Sequence, residues 1–294
     1  MGVRIKRLKH QYIIIIFSIL TTVLLIIGIY EFIKYKQSNP PISTCNNKSI
    51  ERNENGLLLH WSFDEINNNM VTDLSGNDNA GKIKSAITTD FPHRAIKNYF
   101  DINYILGEPV IVKGVKGNAV ELNGREFISG GNISAFNTDT FTISLWLWRE
   151  SIGYEVPTIM AKSSWPWFDG WWLCTKSNKK DIDMAIAWGT SFTHIESGYR
   201  LPLKEWHHIA VTMNNKDHEI QFFVDGKPFG KKHENVHEWL VNWNHELFIG
   251  DYDGSARWPW DGKLDEVRFY NKVLQKEDIY NIYMEEKSTL LGEL

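Results

Sequence analysis

Beyond residue 56 the chain is a succession of short apolar runs separated by turn residues. "LLLHWSF", "NAVELNG", "TFTISLWLW", "MAIAWG", "HHIAVTM", "IQFFVDGK", "HELFIGD" and "LDEVRFYN" follow one another. Many alternate with period two, as half-buried strands do. In "TFTISLWLW", Phe141, Ile143, Leu145 and Leu147 share one face, and Thr142, Ser144, Trp146 and Trp148 share the other. Asp225-Gly226 in "VDGK" is a two-residue hairpin turn signal. One short helix is readable, "LQKEDIYNIYMEE", near the end. The pattern predicts an all-β, two-sheet antiparallel jelly-roll sandwich. Residues 85–109 fit no element and read as a long loop or insertion.

The first fifty residues follow another pattern. Tyr12 to Tyr30 contain no charge. At about 1.5 Å per residue this run matches the roughly 30 Å hydrocarbon core of a bilayer. Tyrosines bracket it, as at a membrane interface. It is longer than the apolar stretch of a signal peptide, and no small-x-small cleavage site follows closely. Arg4, Lys6, Arg7 and Lys9 precede it. The expected organisation is a basic cytoplasmic tail (1–11), a transmembrane helix acting as signal-anchor (12–30), a polar stalk (31–56), the sandwich (57–286) and a C-terminal tail (287–294). The heavier basic flank puts the C-terminal domain outside the cytoplasm.

Charge narrows the partners. Residues 1–34 hold five Lys/Arg and one Glu, a net +4, and the whole chain is −4, so the remainder carries −8. An acidic domain is a poor nucleic-acid binder, because phosphate contacts need a basic surface. The two cysteines, Cys45 and Cys174, are no disulfide framework. Whether they pair or stay as thiols is open. Asn47 and Asn132 head glycosylation sequons.

Several motifs occur in a diagnostic order: "GLLLHWSFDE" (56–65), "TDLSGNDNAGKI" (72–83), "GVKGNAVELNG" (114–124), "TFTISLWLW", "TIMAKSS" (158–164), "EWHHIAVTMNNKDHEIQFFVDGKPFG" (205–230), "LFIGD" (247–251) and "WDGKLDEVRFYNKVLQKEDI" (260–279). In this order they resemble the LamG-like jelly-roll domain of the concanavalin A-like lectin/glucanase superfamily, over nearly all of 57–286. The resemblance implies a binding module more often than an enzyme, with a glycan or a surface protein as partner. It also implies a structural calcium near the "TDLSGNDNAG" loop, held by Asp73 and Asn77 with help from Asp265 of the L-D-E-V motif. Oxygen ligands crowded in a tight loop suit calcium, although Asn, Asp and Gly also build turns unaided.

Catalytic patterns are weak. Asp181/Asp183 read as a hairpin entering a strand. Asp265 and Glu266 are neighbours in the strand pattern, and no third acid is suitably spaced. His207 and His208 on one strand point apart. No catalytic residue is expected.

The tryptophans divide. Trp61, Trp146 and Trp206 sit in strand motifs and read as core, and of the adjacent Trp171 and Trp172 only one can face it. "WPWFDG" (165–170) and "WPWDG" (258–262) repeat one theme in two loops. Trp165, Trp167, Trp258 and Trp260 are therefore the candidate ligand-binding residues, forming aromatic walls against which sugar rings stack. The alternative is that the two loops pack on each other as a minor core.

Overall fold

In the computed structural model, residues 56–85, 110–152, 156–163, 170–177, 182–188, 193–236, 244–255 and 258–290 are described. The predicted membrane span 12–30, the stalk to residue 55 and residues 86–109 of the predicted insertion lie outside them. Among the described residues, no helix is long and apolar enough to cross a membrane.

The early strands are β1 (Leu57–Trp61), β2 (Ile66–Asn67), β3 (Met70–Val71), β4 (Gly81–Ser85), β5 (Val110–Lys113), β6 (Asn118–Asn123) and β7 (Glu126–Gly131). The central ones are β8 (Thr140–Arg149), β9 (Thr158–Ser163), β10 (Gly170–Ser177), β11 (Ile182–Trp188), β12 (Thr193–Arg200) and β13 (Trp206–Asn214). Then come β14 (Glu219–Val224), β15 (Lys227–His233), β16 (Leu247–Ile249), β17 (Asp261–Tyr270) and the helix α1 (Lys276–Leu290).

Two antiparallel sheets form. One runs β15-β14-β13-β8-β17-β6-β5, with β1 also on β17, and the other runs β12-β11-β10-β9-β16-β7-β4-β3-β2. The expected two-sheet sandwich is thus observed. Between the sheets lies one large core containing Leu59, Trp61, Phe141, Ile143, Leu145, Leu147, Val211, Phe222 and Trp171. Alternation along each strand builds it, since side chains two apart share a face. Asp225 (φ 48°) and Gly226 (φ 74°) turn the β14–β15 hairpin with the left-handed backbone their types favour.

The outer face of the first sheet is not left to water. Helix α1 lies over it, and Ile279, Tyr283 and Glu286 are buried there. Trp146 stacks on Tyr283 at 5.5 Å, and its indole N–H donates to Glu286 Oε2 at 2.6 Å. Arg268 bridges Glu286 and Glu266, and Glu266 also meets His60 Nε2 at 2.9 Å. A buried charge is tolerable only when paired, so this chain of partners fixes the helix on the sheet.

Strand β17 carries the irregularity that makes this possible. It pairs with β6 through Leu264 and with β1 from Val267. Between these halves its register to β8 shifts, and Glu266 has φ 50°. The extra residue turns Asp265 toward the 114–117 turn, where its Oδ2 accepts from the amides of Val115 (2.7 Å) and Lys116 (3.1 Å).

Candidate functional site

Trp172 of β10 and Trp258 meet on the outer face of the second sheet. Trp171 and Trp172 follow each other on β10, so they face opposite ways. Trp171 enters the main core, beside Phe141 at 5.2 Å. Trp172 joins Ala161, Cys174 and Tyr252 in a separate buried cluster, with Trp258 partly buried against it. Gly170 starts this strand with φ 99°, and a Cβ there would lie 1.9 Å from the Lys162 carbonyl oxygen, so only glycine permits the approach.

The second stretch is clasped onto β9. The Trp258 carbonyl accepts from the Thr158 amide at 2.8 Å. The Trp260 amide donates to the Gly250 carbonyl at 2.8 Å, and the Gly250 amide to Ile159 at 2.9 Å. These bonds close the excursion between β16 and β17 and press its aromatics on the sheet. Tyr252 meets Trp172 at 5.3 Å and Trp258 at 4.9 Å, both edge to face, and its hydroxyl bonds Ser163 Oγ at 2.7 Å. Exposed Ser255 and half-exposed Asp253 lie in the same loop. The Ser255 amide and hydroxyl both donate to Asp253 Oδ1.

The four candidate tryptophans do not share one fate. Trp258 is in this cluster, with part of its surface open. Trp260 is 0% exposed and belongs to the main core, with the Arg149 guanidinium 5.9 Å from its ring. It has no face to offer a ligand, which corrects its assignment as a cleft wall. The reason is phase: Trp260, Gly262 and Leu264 alternate, and Leu264 points inward. Trp165 and Trp167 lie outside the described residues. Tyr252, which the sequence reading passed over, is the contact that unites the stretches. Its only signal is its place in "GDYDG", between a strand end and a turn.

The three residues assigned to calcium are used as follows. Asp73 accepts from the His60 amide and the Ser75 amide on Oδ1, both at 2.9 Å, and from Ser75 Oγ and the Asn79 amide on Oδ2. Asn77 donates to the Leu57 carbonyl at 2.9 Å. Asp265 binds the 115–116 amides instead, and burial pushes its carboxyl up to about 8. Asp73 and Asn77 share Ser75 Oγ, at 2.8 and 2.9 Å. No cluster of three His, Cys, Asp or Glu suited to a metal occurs among the described residues.

The weak catalytic candidates separate in the same way. His208 is buried against Ser144 (2.9 Å) beneath α1, and burial, then Arg268, pushes its imidazole down to about 3. His207 faces the other way, toward Asp225 at 3.1 Å. Asp265 and Glu266 hold backbone and ion pairs, and Asp181 lies outside the described residues.

The two antiparallel sheets packed face to face define the class as a jelly-roll sandwich. The chain belongs to the concanavalin A-like lectin/glucanases superfamily, whose laminin-G-type model matches residues 122–280. Among curated proteins no sequence match was found. Solved structures share the fold. Domain 4 of AbnA, an extracellular arabinanase from Geobacillus stearothermophilus solved in complex with arabinotriose, is 19% identical with a TM-score of 0.58, covering 77% of this chain and 98% of that one. The binding domain of botulinum neurotoxin DC, in complex with rat synaptotagmin II, is 12% identical with a TM-score of 0.55, covering 79% of this chain and 52% of that one. Trypanosoma rangeli sialidase is 14% identical with a TM-score of 0.55, covering 80% and 33%. The chain thus spans about half of the toxin domain and a third of the sialidase. These likenesses establish the fold.

Proposed function

We propose that the chain is a membrane-anchored, extracytoplasmic binding module that recognises carbohydrate through its tryptophan-rich loops. The observation that carries this is the meeting of Trp258, Tyr252 and Trp172 on the outer face of the second sheet. Trp258 alone of these keeps part of its surface open, and "WPWFDG" leads directly into β10 beside it. Trp258, Trp165 and Trp167 are the proposed contacts. The arabinotriose complex of AbnA domain 4 supports a sugar ligand on this fold. The uncharged run 12–30 and its basic flank support the anchor and its orientation.

A binding role is favoured over catalysis because Asp265, Glu266, His207 and His208 are engaged in structural bonds. A protein partner is the second reading, supported by the synaptotagmin complex of the toxin domain. A glycan array probed with the protein separates the two: binding to a defined glycan class, lost in Trp258→Ala, is expected. An array without signal, beside a stable complex with a surface protein, would overturn the sugar reading. For the anchor, protease added to intact cells should remove the domain, and full protection of the C-terminus would refute the orientation.

A further inference from the structure

A groove of about 560 Å³ opens elsewhere, between the β14–β15 hairpin tip, Tyr199 of β12 and helix α1. Its walls are rings and short apolar surfaces. Tyr199 and Phe229 meet edge to face at 5.0 Å. Tyr280 and Met284, one helical turn apart on α1, are 42% and 43% exposed. Gly226 seats the hairpin on the helix, since a Cβ there would lie 2.8 Å from Tyr283.

The charges around it are unequal. Lys227 and Lys287 line the groove, and neither forms an ion pair with a described residue. The Lys287 ammonium lies 5.2 Å from the centroid of the Tyr283 ring. The one carboxylate of the lining, Asp225, is already engaged: Oδ2 meets His207 Nδ1 at 3.1 Å and Oδ1 accepts from the His208 amide at 3.0 Å. Burial would raise this carboxyl, but those hydrogen bonds hold it below its usual value. Burial, with Asp225 and Glu205 nearby, pushes the Tyr199 hydroxyl up to about 12, so it stays a neutral hydroxyl. Two lysines thus line the opening against one carboxylate, which is engaged in hydrogen bonds.

We infer that this groove is a second ligand site, separate from the tryptophan loops, which takes a carboxylated saccharide of one or two rings. The volume falls within the roughly 300–1,000 Å³ of small-ligand pockets. Tyrosine rings cover the apolar C–H faces of a sugar, and the lysines face its carboxylate. An extended peptide is disfavoured, because Pro228 has no N–H to donate at the hairpin wall.

The test is calorimetric titration of the full-length protein in detergent with digalacturonate, sialyllactose and uncharged lactose. At least one acidic saccharide is expected to bind at least about 10-fold more tightly than lactose. Lys227→Glu with Lys287→Glu should weaken that binding by about 10-fold or more, and Tyr280→Ala should weaken it too, with unchanged circular dichroism. Trp258→Ala should leave it intact, which keeps the outcome distinct from that of the loop site. Which acid binds better separates a uronate from a sialate. Absence of binding by both acidic saccharides, equal binding of lactose, indifference to the lysine reversals, or loss in Trp258→Ala alone would each overturn the inference.

Discussion

Trp258 and Trp260 are two residues apart in one motif, yet their surroundings differ enough to give opposite outcomes on truncation. Trp260 is 0% exposed in the core between the sheets, so Trp260→Ala removes a whole indole from packed surroundings. Such changes cost about 3–5 kcal/mol. For a domain of this size each kcal/mol lowers Tm by about 2–4 °C, which puts the expected fall at about 6–20 °C. Trp258 is only partly buried, and its ring lies 4.9 Å from that of Tyr252. An aromatic pair is worth about 0.5–1.5 kcal/mol beyond area burial, so Trp258→Ala should cost about 1–2 kcal/mol. In glycan binding the order reverses. Truncating an aromatic anchor costs about 2 kcal/mol or more of affinity, close to 30-fold, and this loss is expected for Trp258. The assay is a denaturant midpoint for each variant, with affinity measured on the glycan found by array. Equal large stability losses with no change in affinity would show that both indoles are packing, and the loop site would be lost. An unchanged midpoint for Trp260→Ala would refute the buried placement.

Three further outcomes follow from the buried polar groups. Arg268→Met leaves Glu266 and Glu286 without their shared partner and should destabilise by about 3–5 kcal/mol; a urea midpoint within experimental error of the parent would refute the network. His208 is held neutral, with its folded pKa depressed to about 3. Its contribution is fully present above about 6.5 and is lost as pH falls toward 3, at up to about 1.4 kcal/mol per pH unit. His208→Gln should flatten the acid limb of the stability curve between pH 6 and 4, and an identical limb would remove this account. Calcium at the Asp73 loop remains a proposal: it requires a binding heat at millimolar calcium that Asp73→Ala abolishes, and no heat with melting indifferent to chelator would dispose of it.

The sandwich was legible because most of its strands contrast apolar and polar positions. "TFTISLWLW" predicts its inward face correctly, and Phe141, Ile143, Leu145 and Leu147 are all in the core. The strands that escaped notice lack that contrast. Ile66–Asn67 and Met70–Val71 are two-residue pairings, too short for any period, and Thr193–Arg200 mixes Gly198 with charges at a sheet edge. Trp146 was read as core, and it is buried, but beneath α1 rather than between the sheets. Strand periodicity reports which face a residue takes and is silent about what covers that face. The reading of Trp260 as a loop residue failed for a related reason. Its motif runs straight into β17, and counting back by twos from Leu264 places Trp260 inward. The acidic motif at 265–266 gave no hint of its bulge, because the positive φ falls on Glu266, a residue type with no preference for it.

The pairing of β1 with the end of β17 carries a kinetic consequence. Leu57 lies opposite Tyr270, and Trp61 opposite Val267, so among the described strands the first is completed by the last. On a growing chain, Leu59 and Trp61 have no mate until more than two hundred residues have followed them. Closing so long a loop before any contact repays it makes folding slow and leaves apolar strands open to neighbouring chains. The domain therefore reaches its native state only after β17 has been synthesised, and a truncation anywhere before residue 270 leaves an unmated edge beside the core instead of a smaller folded unit.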